Sequence, residues 1–193
     1  NRPTPETLAL AMQAARESYV ELINRDFLLR PTSGGTGVRL TGNLVLSCFH
    51  VLQPDVQLYA GTDAVQFFAA MPVYDLALMR VGPSRPFKLA VASSITLGEQ
   101  LVSYSNANGE NGMFRFYRVS KVTELDLLLD QPIIAGESGA GLFNIRGELA
   151  GIARGSRVST SQNPFFVGYG IALPADRIKD FLADSEIKKH IAP

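Results

Sequence analysis

From Phe27 onward the chain is cut into short apolar runs, and this punctuation constrains its fold more than any other feature. Phe27-Leu28-Leu29, Val38-Arg39-Leu40, Leu44-Val45-Leu46, Val56-Gln57-Leu58-Tyr59, Val65-Gln66-Phe67-Phe68 and Leu76-Ala77-Leu78-Met79 are each a few residues long, with Gly, Pro, Asp and Asn between them. Runs of that length suit strands rather than core helices, so the series implies a barrel or a sandwich. Pro83-Ser84-Arg85-Pro86 then opens a linker that runs to about Ser94. A second set of about six strands follows over 100–104, 113–119, 124–129, 140–145, 148–153 and 165–171. Between its first two members, residues 106–112 form a polar loop that either carries specificity or is simply solvated.

The ends of the chain read as helical. Thr4 is a candidate cap, Pro5 suits the first turn, and Glu6 sits favourably near the positive end of the dipole. Leu8, Met12, Ala15, Tyr19 and Leu22 recur at spacings of four and three, which predicts one apolar stripe along about five turns. That stripe is expected to pack on its own barrel; the alternative is a contact with another subunit of a homo-oligomer or with a flanking domain. Residues 174–182 read as a closing amphipathic helix. The expected organisation is thus a helical extension over 1–26, a first barrel over 27–92, a second barrel with its closing helix over 93–182, and a tail over 183–193.

Bulk properties exclude several classes. With 18 basic and 18 acidic residues the formal charge is zero, so no nucleic-acid partner is indicated. The apolar fraction of 46% is that of a globular protein. No secretory signal is visible, and no apolar run reaches the length of a membrane span. Cys48 is the one cysteine, so no intrachain disulfide can form; this favours a reducing compartment, or a bacterial or viral source. Thr32-Ser33-Gly34-Gly35-Thr36-Gly37 invites comparison with a phosphate loop, but it lacks the following lysine and helix and reads as a tight turn.

The chemistry centres on Gly136-Glu137-Ser138-Gly139-Ala140-Gly141. A serine set among glycines between strands is a candidate nucleophile. Its hydroxyl keeps its proton at neutral pH, so it needs a base and a group to orient that base. Upstream, His50 ends one hydrophobic run and Asp75 begins another. Either feature alone is unremarkable: such a loop is most often a turn, and such a histidine is most often packed. Their conjunction in the order His, Asp, Ser points to a triad. Cys48 and His50 are isolated as ligands and His190 is remote, so neither a metal nor another cofactor is expected.

At these three places the sequence resembles the trypsin-fold serine peptidases, and among them the protease domain of the HtrA (Deg) type without its PDZ domain. Gly35-Thr36-Gly37-Val38, running on to Cys48-Phe49-His50-Val51, is similar to that family's approach to its catalytic histidine. Asp75-Leu76-Ala77-Leu78, the hairpin around Gly147-Glu148-Leu149, and Gly168-Tyr169-Gly170-Ile171-Ala172-Leu173-Pro174 also match, so the resemblance covers roughly residues 34–182.

The resemblance implies two six-stranded Greek-key barrels, an all-β fold with an N-terminal helix and a short C-terminal one. It implies a serine endopeptidase acting on polypeptides, with Ser138 as nucleophile, His50 as base, Asp75 as orienter, and the N–H groups of Gly136 and Ser138 as oxyanion donors. It places Pro132, Ile133, Ile134, Ala153, Arg154, Gly155, Tyr169 and Gly170 around the substrate. Pro132 stands where trypsins carry a pocket aspartate, which implies a small or medium apolar residue before the cut.

Three departures stand out. Ala140 replaces a glycine, Glu137 replaces the aspartate of trypsins and the asparagine of HtrA, and Asp75 follows His50 by only 25 residues. Two alternatives remain. One is a catalytically idle trypsin-fold scaffold. The other is an α/β-hydrolase using Ser138, Asp176 or Asp180, and His190, which the strand hairpin after Ser138 disfavours.

Overall fold

The computed structural model describes residues 5–157, 168–184 and 187–188. Helix α1 (Pro5–Ser18) passes directly into strand β1 (Tyr19–Arg25). The expected five-turn helix is therefore shorter. Tyr19 and Leu22, which fall on its stripe by spacing, lie in β1, where Val20, Leu22 and Asn24 are buried and alternate with half-exposed neighbours. Spacings of three and four cannot separate a helix from a strand here, and the aromatic and β-branched residues of 19–23 favour the strand. Ser18 ends the helix with its hydroxyl turned back on the carbonyls of Ala14 and Ala15, at 2.8 and 3.2 Å. The Thr4 cap lies outside the described residues.

The first antiparallel sheet comprises β1, β2 (Pro31–Thr41), β3 (Leu44–Cys48), β4 (Gln57–Ala60), β5 (Asp63–Ala64), β6 (Gln66–Met71) and β7 (Leu76–Arg80), in the order β5-β4-β1-β2-β3-β7-β6. Its two end strands, β5 and β6, are successive in the chain with Val65 alone between them, and the Val65 N–H donates to the Leu58 carbonyl at 2.9 Å. One bent stretch thus pairs with β4 at one end and with β7 at the other, and the sheet curls round. It begins at Tyr19 rather than at residue 27. Phe27-Leu28-Leu29, expected as a strand, is instead an exposed turn. Asp26 holds it by accepting the N–H groups of Leu28 and Arg30 and pairing with the Arg30 guanidinium at 2.7 Å.

The second sheet is a closed barrel of β8 (Gln100–Ser105), β9 (Met113–Val122), β10 (Leu127–Leu129), β11 (Gly141–Phe143), β12 (Leu149–Arg157) and β13 (Tyr169–Pro174). Its order is β10-β13-β12-β11-β8-β9. The first three residues of β13, Tyr169 to Ile171, fall at the end of the expected last strand, whose beginning lies outside the described residues. Helix α2 (Ala175–Ala183) buries Ile178 and Phe181.

Two features lock the sheets together. The linker bonds to both, through Leu89 N–H to Leu40 O at 2.8 Å and Ala92 N–H to Leu149 O at 2.9 Å. One apolar cluster also runs from Leu22, Leu46 and Leu78 of the first sheet to Phe143, Leu149 and Ile152 of the second and Phe181 of α2. Helix α1 lies against β8 and β11, so its buried Ala11 and Ala15 pack on its own chain, on the second barrel.

Candidate active site

His50 and Asp75 are brought together by strand pairing. All five residues of β3 are buried, and the strand ends at Cys48 in a single 3-10 turn, Phe49–Val51, which puts His50 on the surface while Val51 anchors the turn in the core. Across the sheet, β7 pairs with β3 so that Leu76 faces Cys48. Asp75 immediately precedes Leu76, in the left-handed region at φ 55°, and its carbonyl accepts the Phe49 N–H at 2.9 Å. The sequence separation of 25 is thus folded into contact. His50 N–H donates to Asp75 Oδ1 at 3.0 Å, and His50 Nδ1 lies 2.7 Å from Asp75 Oδ2. The His50 side chain is 49% exposed and that of Asp75 26%, so the imidazole faces solvent over a half-sheltered carboxylate.

Ser138 lies in the loop between β10 and β11, and that loop is stitched to β2 of the first sheet. Thr36 N–H donates to the Ser138 carbonyl at 2.8 Å, and the Thr36 hydroxyl donates to the Gly136 carbonyl at 2.9 Å. Gly139 has φ +87°, and a Cβ there would overlap both Ser47 Oγ and the Thr36 carbonyl. Only glycine permits this approach. On its own barrel, Gly139 N–H donates to Ala153 O at 2.8 Å and Ala153 N–H to Ala140 O at 2.9 Å. The Ser138 hydroxyl donates to the Arg154 carbonyl at a long 3.4 Å and makes no hydrogen bond to His50.

The two expected oxyanion donors are set by their neighbours. In a trans peptide the N–H points opposite to the carbonyl. The carbonyl of Ala135 is held by Asn108 N–H at 2.7 Å, and that of Glu137 by Ala140 N–H at 2.9 Å. The second contact, made within the loop, turns the Ser138 N–H away from the loop interior, and neither the Gly136 nor the Ser138 N–H donates to another described residue. Gly136 has φ +88°, and a Cβ would overlap the Asn106 carbonyl.

Electrostatics favour an ionised Asp75. Partial burial pushes its carboxyl up, but the hydrogen bonds from the His50 ring and backbone, with the charges of His50 and Arg154, outweigh this and hold it below the ordinary carboxylate value. Cys48, expected as an isolated ligand, has its donor atom within 4.8 Å of those of His50 and Asp75. The approach comes from the same strand pairing, which sequence distance hides. The thiol donates to the Ala153 carbonyl at 3.2 Å, and burial raises its pKa well above the ordinary value. A metal there would need the thiolate that burial disfavours.

The residues expected around the substrate fall on three converging segments. Ser156 on β12 donates to the Ile133 carbonyl at 2.8 Å. A Cβ on Gly170 would meet the Gln131 carbonyl and Ile133, and Tyr169 and Gly170 pair with Arg157 and Ser156. Pro132 is held through its carbonyl by Arg115 at 3.1 Å. Pro132, Ile134, Gly155 and Tyr169 are half-buried, while Ile133 and Ala153 are buried. The guanidinium of Arg154 is bound to Asp126 at 2.6 Å. Gly136 also borders an open pocket of about 550 Å³ together with Glu21, Ile23, Ser33, Gly34 and Asn106.

Sequence reasoning missed Glu137. Its side chain is fully buried behind the loop; Oε1 accepts from the Tyr117 hydroxyl at 2.7 Å and the Ser105 hydroxyl at 3.4 Å, and Oε2 accepts from Ile134 N–H at 2.7 Å. Its substitution pattern was the one visible signal, since an acid inside a glycine-rich loop needs partners that only the fold supplies.

The fold is similar to that of a serine endoprotease from Yersinia pestis, with a TM-score of 0.76 and 21% sequence identity over 98% of this chain and 69% of that one. No curated protein matches the sequence. Residues 35–152 of the 193 match the trypsin-like peptidase domain, and with a closed six-stranded barrel packed on a curled seven-stranded sheet the chain belongs to that family of serine proteases.

Proposed function

We propose that the protein is an endopeptidase in which Ser138, His50 and Asp75 cleave peptide bonds through an acyl-enzyme. The observation that carries this reading is the 2.7 Å contact of His50 Nδ1 with Asp75, set beside a serine loop bonded to the same sheet. Ser138 attacks the carbonyl, His50 takes its proton and returns it to the leaving amine, and Asp75 holds the ring tautomer and stabilises the imidazolium. Negative charge on the carbonyl oxygen meets the N–H groups of Gly136 and Ser138; losing one such donor costs roughly 3 kcal/mol of barrier. The chain before the cut lies along Ala153-Arg154-Gly155, and the leaving side lies towards the pocket that Gly136 borders.

One observation favours a second reading, an idle scaffold: the Ser138 hydroxyl is turned to the Arg154 carbonyl rather than to His50. The 3.4 Å length makes this a weak hold, which rotation about one side-chain bond releases. Fluorophosphonate labelling separates the two. Labelling of the wild type but not of Ser138→Ala supports a working nucleophile; no labelling of either supports the scaffold.

A further inference from the structure

We infer that Arg39 and Arg85 form an anion site on the first sheet that takes one oxyanion group, a phosphate or a carboxylate. The two side chains border a pocket of about 340 Å³, together with Tyr19 at the start of β1, Gly61 in the β4–β5 turn and Gly82 after β7. None of the residues expected around the substrate borders it, and the site does not depend on the triad. Arg39, on β2, carries the argument. A buried charge loses its water, and only a counter-charge or a full set of hydrogen bonds offsets that loss. Arg39 is 8% exposed, yet it has neither. Its Nη1 donates to the Gly42 carbonyl at 2.9 Å, while its buried Nε has no partner. Among the described residues no carboxylate pairs with it, and burial, followed by the charge of Arg85, pulls the guanidinium below its ordinary pKa.

Arg85 brings the second charge. It is exposed, and its Nη2 donates to the Glu17 carbonyl in the last turn of α1 at 3.2 Å. Two guanidiniums held at one pocket repel each other, and a bound oxyanion replaces that repulsion with two attractions. With Nη1 of Arg39 held by Gly42, the edge left over is Nε with Nη2, which donates to two oxygens of one phosphate or carboxylate side by side. A small turn of the head group presents that edge to the pocket. Glu21 and Asp63 also border the pocket, but among the described residues neither pairs with Arg39 or Arg85, and Asp63 Oδ2 is turned onto Gly82 instead. Their charge disfavours a long polyanion and leaves room for a single oxyanion group.

The test is equilibrium dialysis of the purified full chain in chloride buffer at constant ionic strength, with radiolabelled inorganic phosphate and, separately, radiolabelled acetate. One saturable site with a Kd of about 1 mM or below is expected for at least one of them. Tighter phosphate identifies a phosphate group as the occupant, and tighter acetate identifies a carboxylate; either result supports the site. Arg39→Met keeps the apolar length and removes the fork. It is expected to abolish binding and yet to melt in chloride at or above the wild-type temperature, because an uncompensated buried charge has gone. Arg39→Lys keeps the charge without the fork and is expected to weaken binding at least about tenfold. Arg85→Gln is expected to weaken it by a similar factor, and it decides the matter if the Arg39 variants do not fold. Phosphate stabilises folded chains generally by exclusion from their surface, so a melt in phosphate counts only as the difference between wild type and Arg39→Met. A wild type that binds neither anion saturably overturns the inference. So does wild-type binding in the folded Arg39 and Arg85 variants, whatever their melting temperatures, since that leaves the two arginines a merely structural role.

Discussion

Asp75 holds His50 at two points, accepting its backbone N–H on Oδ1 at 3.0 Å and meeting Nδ1 with Oδ2 at 2.7 Å. One carboxylate thereby fixes both the position of the turn and the tilt of the ring, and Nε2 is left as the nitrogen outside this grip. Asp75→Asn keeps the size but offers the ring the wrong hydrogen-bonding partner. It is expected to lower kcat/KM about 10⁴-fold without unfolding the chain. Peptide kinetics with a circular-dichroism melt check this, and a loss below about tenfold contradicts the assigned role.

Acid should act through the same carboxylate. Its folded pKa is held below the ordinary 3.8, so ionised Asp75 favours the folded chain above that pH, and the contribution is lost as pH falls through the lower folded value. Asp75→Asn cannot titrate. Its stability deficit relative to wild type is expected to be full at neutral pH and to shrink in acid, as read by urea unfolding across that range. A deficit independent of pH would contradict the assignment.

Gly139 tests the docking of the two sheets. Gly139→Ala places a methyl against Ser47 Oγ and the Thr36 carbonyl at a positive φ, and is expected to cost about 2 kcal/mol or more of stability. Activity should fall with it, because Ser138 is carried by the displaced loop. Gly98→Ala is the control: φ is +80° but nothing lies within 4 Å, so strain alone is added and kcat should hold. Denaturant melts and kcat for both variants give the comparison.

Specificity follows from what surrounds the bond. Among Pro132, Ile133, Ile134, Ala153, Gly155, Tyr169 and Gly170 there is no acid, and the guanidinium of Arg154 is occupied by Asp126. Small or medium apolar residues before the cut are expected to be preferred over Lys or Arg by at least about tenfold. Mass-spectrometric mapping of cuts in a peptide mixture checks this, and a profile led by Lys or Arg contradicts it.

The parts legible in the sequence were those written locally. The runs at 44–46 and 76–79 became β3 and β7, and their pairing brings His50, just past one, against Asp75, just before the other. Where two structures share one spacing, legibility failed: Tyr19 and Leu22 suit both a helical stripe and a strand, and pairing of β1 with β2 and β4 settled the matter. Phe27-Leu28-Leu29 is apolar enough for a strand, but the Asp26 side chain captures the backbone as a turn. The partners of Glu137 were beyond reach for another reason. Tyr117 and Ser105 lie 20 and 32 residues away, and only barrel closure brings them to one carboxylate.

The most direct measurement of the central claim is intact-protein mass spectrometry after acid quench of a slowly deacylating ester or peptide substrate. The account predicts one acyl group per chain, mapped to Ser138, and lost in Ser138→Ala together with peptide cleavage. Cleavage that persists in Ser138→Ala, or an acyl group mapped to another residue, would contradict it.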